Sequence, residues 1–136
     1  MRDNVSMHAS DEQEAAIERM VRLFYQRSFA DPVLGPIFRE QIHGLESHIG
    51  RVVDFWCDVV YATERYKGKV YAAHMRLKFE PEAFDHWIAM LESAANDCLS
   101  APDAAKAIRV ARHMANSFKV GMFPFTDKHG KPSRNP

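Results

Sequence analysis

Apolar positions recur every three to four residues along most of the chain, the period of a helix with one buried face. The first such stretch opens at Ser10-Asp-Glu-Gln13, a serine three residues ahead of a glutamine, which is a capping box and predicts a helix from about Asp11. Its inner stripe is Ile17, Met20, Val21, Phe24, Tyr25 and Ser28, and it should end near Ala30 because Asp31-Pro32 disfavours further helix. From Pro32 to Gly44 two prolines and two glycines interrupt the pattern, so a turn with short helical pieces is expected, with Ile37 and Phe38 pointing inward.

A second long helix should run from about Leu45 to Ala62, with His48, Val52, Phe55, Trp56 and Val59 on one face. Residues 63–69 read as a loop, and Val70 to Leu77 offers about two helical turns that carry His74. Pro81 suits a first helical position, and Phe84, Trp87, Ile88, Leu91, Ala95 and Cys98 give the next helix an inner stripe as far as Ser100. Pro102 restarts the pattern, and Ile108, Ala111, Met114, Ala115, Phe118 and Met122 carry the last helix to about Phe123. No segment alternates with a period of two and no repeat is visible, so the fold class is all-α. The expected layout is a flexible N-terminal segment (1–10), one domain (11–124) and a mobile tail (125–136) without apolar pattern.

Composition narrows the functions open to such a fold. At 136 residues the chain has room for one core. Its 18 Lys+Arg balance 18 Asp+Glu, which removes the basic footprint of a nucleic-acid binder. The longest apolar runs are four or five residues, against the roughly 20 needed to span a bilayer, and the N-terminus is polar; neither membrane anchor nor signal peptide is expected, and the expected location is the cytoplasm. Cys57 and Cys98 lack a CxxC or CxxCH spacing, which argues against a zinc knuckle, a redox pair or covalently attached haem. Aromatic residues make up 11% of the chain, on the high side for a small helical domain, so the core can use flat rings.

Several residues could carry chemistry. His74 follows two alanines and precedes Met75 and Leu77, a setting that lets a flat macrocycle approach a neutral imidazole, itself a common metal ligand. The plainer reading is a half-buried structural histidine, and the segment alone does not decide between them. Tyr25 and His48 place polar tips where the helical period otherwise puts carbon, and buried polar tips need partners. Each has a structural explanation, a core tyrosine reaching a carbonyl and a helix-end histidine near water; together they could line a cavity and hydrogen-bond a ligand. Trp87 adds an indole N–H on a buried face, where packing is its ordinary role. A di-iron bundle would need Glu-x-x-His on two helices, and only Glu40-Gln-Ile-His43 is present, among helix breakers. HExxH, GxSxG, GxGxxG and GxxxxGKS motifs are absent, which weakens metalloprotease, hydrolase and nucleotide-binding readings.

The joint layout is more specific than any of these pieces. Phe24-Tyr25, Asp31-Pro-Val-Leu-Gly-Pro-Ile-Phe38, His48 with Phe55-Trp56, Arg65-Tyr-Lys-Gly68, Ala73-His-Met-Arg-Leu77 and Phe84-Asp-His-Trp87 follow one another between Ile17 and Phe123. In this order they resemble the group III truncated haemoglobins. The resemblance implies a globin-like two-over-two helical sandwich around non-covalent haem b, with His74 as the proximal iron ligand and Tyr25, His48 and Trp87 on the distal side. It implies that the macrocycle lies among Phe38, Val52, Trp56, Met75, Leu77, Phe79, Phe118 and Met122. Arg76, or else Arg65, Tyr66 or Lys67, would meet the propionates. O2, NO and CO are the implied ligands, with an electron-donating reductase as a further partner. Reversible gas binding or scavenging, NO dioxygenase chemistry and peroxidase-like chemistry all remain open at this point, as does the question whether His48 gates the pocket or ligates the iron. A haem-free helical interaction module is the alternative from a different class.

Overall fold

A computed structural model describes residues 9–75 and 77–135. Six helices follow in order among them: α1 (Asp11–Ala30), α2 (Leu34–Gln41), α3 (Leu45–Tyr61), α4 (Val70–Met75), α5 (Pro81–Cys98) and α6 (Ala101–Met122). The capping box forms as expected, with the Gln13 amide donating to Ser10 Oγ at 3.1 Å and the Ser10 amide donating to Gln13 Oε1 at 2.9 Å. Ser10 thus satisfies an amide that the first turn would otherwise leave unpaired.

At the end of α1, one Asp31 carboxylate oxygen accepts the amides of Val33 and Leu34, both at 2.9 Å, and turns the chain directly into α2. The segment expected to hold a turn with short helical pieces forms that turn and one eight-residue helix. Gly35 permits it: a Cβ at that position would lie 2.6 Å from the Phe29 carbonyl oxygen, so only glycine lets α2 pack this closely on the end of α1. Pro81 occupies the start of α5, and Ser100 caps α6.

The helices form two pairs laid one over the other. α1 packs on α3 and α5 on α6, while α1 also rests on α5 and α3 on α6, so the fold is an all-α, globin-like sandwich. α2 closes one end against α1 and α5, and α4 packs chiefly on α6. Ile17, Met20, Leu34, Phe79 and Leu91 are among the most deeply buried side chains of the core. No helix among the described residues is long and apolar enough to cross a membrane.

The last residues, expected to be a patternless tail, include a two-stranded hairpin, β1 (Phe125–Thr126) and β2 (Pro132–Ser133). Arg134 ties it to the core by donating to the Phe79 carbonyl at 2.6 Å and by lying over the Phe123 ring at 4.4 Å.

A cavity with histidine on one wall and paired polar groups on another

Between the helix pairs lies a cavity of about 220 Å³, lined by residues of α1, α2, α3, α5 and α6, and by α4 with the loop that leads into it. Its wall is mostly apolar: Phe24, Phe38, Val52, Phe55, Trp56 and Leu91 contribute carbon. The polar exceptions are Tyr25, His48, Arg51, Tyr66, His74 and Trp87. A concave apolar site with a few convergent polar groups is the usual form of a small-molecule or cofactor pocket.

On one wall stands His74. Its Nδ1 lies 2.8 Å from the Val70 carbonyl oxygen, one helical turn back. A carbonyl only accepts, so Nδ1 carries the proton and the lone pair is left on Nε2. Burial lowers the tendency of the ring to protonate, against the Val70 bond, which raises it. The Phe118 ring lies parallel to the imidazole, with centroids 4.5 Å apart and planes 13° apart, and fixes its orientation. The result is a neutral, oriented imidazole with a free lone pair, the form that ligates metals.

Tyr25 and His48 come together elsewhere on the wall, and Trp87 lines it next to His74. Tyr25 Oη and His48 Nε2 are 2.7 Å apart and share one hydrogen bond. Burial raises the Tyr25 phenol far above its ordinary value, so the hydroxyl stays protonated. His48 is held below the usual imidazole range, by burial first and then by the charge of Arg51. Because the neutral ring can carry its proton on either nitrogen, His48 can accept from Tyr25 or, as the Nε2–H tautomer, donate to it. In the second arrangement the Tyr25 O–H is free to donate into the cavity without losing its partner. The Trp87 indole has no hydrogen-bond partner among the described residues, and its ring meets Phe24 edge-on at 6.1 Å and His74 edge-on at 6.3 Å.

Of the residues expected to lie around a flat ligand, Phe38, Val52, Trp56 and Leu77 line the cavity. Phe79 is buried behind the wall, stacked on Phe38 at 6.2 Å. Phe118 acts through its stacking on His74, while Met75 and Met122 are not among the lining residues. Arg76 lies outside the described residues. Arg65 turns away to pair with Glu14 at 3.0 Å, Lys67 is exposed, and Tyr66 forms part of the wall. Arg51, absent from the sequence expectation, also lines the cavity; it follows His48 by three residues, so the helical period places it on the same face. Among the described residues no three or more His, Cys, Asp or Glu side chains come together as a metal cage, so a metal held by His74 would need ligands from elsewhere.

No family model matches the chain. Over 88 residues it is 26% identical to the Group 3 truncated hemoglobin ctb of Campylobacter jejuni subsp. jejuni, a match that covers 61% of this chain and 69% of that protein. Its fold is similar to the crystal structure of group III truncated hemoglobin from Campylobacter jejuni, with a TM-score of 0.71, 24% identity, and coverage of 77% of this chain and 87% of that one.

Proposed function

We propose that this chain, which resembles the group III truncated haemoglobins in sequence and in fold, is a haem protein that binds a diatomic gas in the cavity, and that His74 is the residue that would hold the iron. The observation that carries the proposal is the meeting of two chemistries around one cavity: a neutral imidazole lone pair at His74, and hydrogen-bonding groups at the paired Tyr25 and His48 and at Trp87. The residues present fit haem b. The wall is apolar where a porphyrin face needs carbon, and Arg51 and Tyr66 on the wall offer a cation and a hydroxyl to carboxylate groups. Bound haem would supply an iron centre that takes O2, NO or CO and exchanges single electrons.

The protein's own part is to hold the cofactor and to donate hydrogen bonds. His74 would hold the iron through Nε2, its ring fixed by Val70 and Phe118. Tyr25 and Trp87 would donate hydrogen bonds to a ligand held in the cavity, and a charge-assisted hydrogen bond contributes roughly 1.5 to 3 kcal/mol. Retention of ligand by several donors serves simple delivery poorly, which favours redox use of the same site. NO dioxygenase or peroxidase-like turnover with an electron-donating reductase is therefore the second reading. It is supported by the Tyr25–His48 hydrogen bond, which links the cavity to a half-buried imidazole able to exchange protons with solvent.

Reconstitution with haem b tests the proposal. One equivalent should be taken up, with quenching of Trp56 and Trp87 fluorescence and a Soret band that moves on reduction and again with CO. Failure to take up haem, with tryptophan emission unchanged, would leave the cavity a gap in a helical interaction module. With haem in place, multiple turnover of NO or peroxide in the presence of a reductant would select the enzymatic reading.

A further inference from the structure

The loop between α3 and α4 (residues 62–69) is held in a shape its sequence does not favour. Ala62 and Glu64 both adopt left-handed backbone conformations, at φ 55° and 60°, which cost a residue with a Cβ about 1 kcal/mol or more each. Asp58, in the last turn of α3, sustains that shape. One carboxylate oxygen accepts the Thr63 hydroxyl at 2.5 Å and the Arg65 amide at 2.6 Å, and the other accepts the Tyr66 amide at 2.8 Å. A carboxylate near a helix C-terminus opposes the helix dipole, and α3 has no basic residue in its last turn to offset it. Asp58 is thus unfavourable for its own helix and useful only to the loop.

The loop reaches the cavity at two points. Tyr66 lines the wall, with its ring edge-on to Phe55 at 5.4 Å and folded so closely over Gly68 that a Cβ there would collide with it. The end of the loop is also the start of α4: Lys69 accepts the Ala73 amide at 3.0 Å, and the Val70 carbonyl orients His74. α4 is six residues long and packs chiefly on α6, so its direction depends on the loop that leads into it.

We propose that Asp58 is a positioning residue for the cavity: by fixing residues 62–69 it places Tyr66 in the wall, sets the start of α4 and, through the Val70 carbonyl, aims Nε2 of His74. The part that concerns iron rests on the proposed function; the part that concerns the order of α4 does not.

The test compares wild type with Asp58→Ala, Asp58→Asn and Thr63→Val. Hydrogen exchange is read on the haem-free protein, and haem dissociation and the iron–histidine stretching band are read on the ferrous, haem-loaded protein. In Asp58→Ala the Arg65 and Tyr66 amides should lose protection, exchange across Val70–Met75 should rise about tenfold, and haem should leave about tenfold faster, the order expected from one or two lost hydrogen bonds. The iron–histidine band should shift or broaden, while gas release, governed by Tyr25 and Trp87, should stay within about twofold of wild type. Asp58→Asn, which keeps one acceptor, should fall between the two. Loss of protection at residues 65 and 66 with wild-type exchange in α4, wild-type haem dissociation and an unchanged band would overturn the proposal and leave Asp58 a local staple. Should Asp58→Ala fail to fold, Thr63→Val, which removes one of the three bonds, is read in its place, and unchanged α4 exchange there overturns the proposal. Should wild type take up no haem, the proposed function falls, and α4 exchange in the haem-free variants decides the role of Asp58 by itself: a rise supports it and wild-type exchange overturns it.

Discussion

Tyr25 and Trp87 sit inside helices of 20 and 18 residues, whereas His74 sits in a helix of six. The long helices pack on each other, and Tyr25 is wedged among Phe24, Phe38 and His48 with ring centroids 4.9 to 5.8 Å away. His74 depends on one backbone carbonyl, one stacked ring and a loop held by Asp58. On the proposed function, the residues that would donate hydrogen bonds to a ligand thus stand on long core helices, and the residue that would hold the cofactor stands on a short element. Local stability tends to divide in the same way, with functional moving parts at the low end.

The largest expected effect tests that division directly. Phe38→Ala, in the packed wall, should lower global stability by about 3 to 5 kcal/mol, whereas Met75→Ala at the end of α4 should cost about 1 kcal/mol or less. Denaturant unfolding of the two variants makes the comparison; equal losses would mean that α4 is as much part of the core as α2. Next comes Tyr25→Phe in the haem-loaded protein, which removes a donor without emptying its space. Release of O2 should quicken by roughly tenfold to a hundredfold, at roughly 1.4 kcal/mol per decade. Stopped-flow displacement by CO provides the measurement, and an unchanged rate would take Tyr25 out of the binding role.

Trp87→Phe should act in the same direction and more weakly, by about tenfold or less, the size of one neutral hydrogen bond. If the effect of the double variant departs from the sum of the two singles, the donors act as one network.

The smallest effect is on pH dependence. Burial holds both His48 and His74 below the ordinary imidazole range, so folding favours their neutral forms. As pH falls through about 6.5 the unfolded chain takes up protons first, and stability should decline from there downward, with no contribution from these groups at higher pH. Asp31 and Asp58 act in a separate, more acid window. Burial raises each carboxyl, but hydrogen bonds outweigh it: the Leu34 amide, His86 and the Val33 amide for Asp31, and Thr63 with the amides of residues 65 and 66 for Asp58. Both carboxyls end below their usual range, so their stabilisation is lost only as pH falls through that range and below. Melting temperatures of the haem-free protein from pH 7.5 to 5 should show the first decline, and His48→Gln should make it shallower; an identical slope in that variant would mean that His48 is not held neutral.

Much of this arrangement is legible in the sequence. The 3.6-residue period and the cap at Ser10 predict α1 to within a residue at each end, and the period of α5 and α6 places their buried stripes. α3 shows where periodicity stops. Its expected inner face of His48, Val52, Phe55, Trp56 and Val59 is only partly the core face: Ile49, Val53, Trp56, Cys57 and Val60 are buried, and His48, Val52 and Phe55 turn to the cavity. Apolar residues surround most of that helix, and a period alone cannot distinguish an edge facing other side chains from one facing a hole. α2 depends on the approach of Gly35 to the Phe29 carbonyl, and the terminal hairpin on Arg134 reaching Phe79, contacts between residues without periodic relation. The hold of Asp58 on residues 63 to 66 is invisible for the same reason, because a carboxylate that serves a loop is indistinguishable in sequence from one that faces water.

The central claim, a haem held by His74, is tested most directly by His74→Gly, studied by ultraviolet–visible spectroscopy with and without added imidazole. The variant should keep its helices, bind haem weakly with an altered Soret band, and recover the wild-type spectrum when imidazole fills the space left by the side chain. Wild-type haem affinity and spectrum in His74→Gly without imidazole would contradict the account and place the ligand elsewhere in the chain.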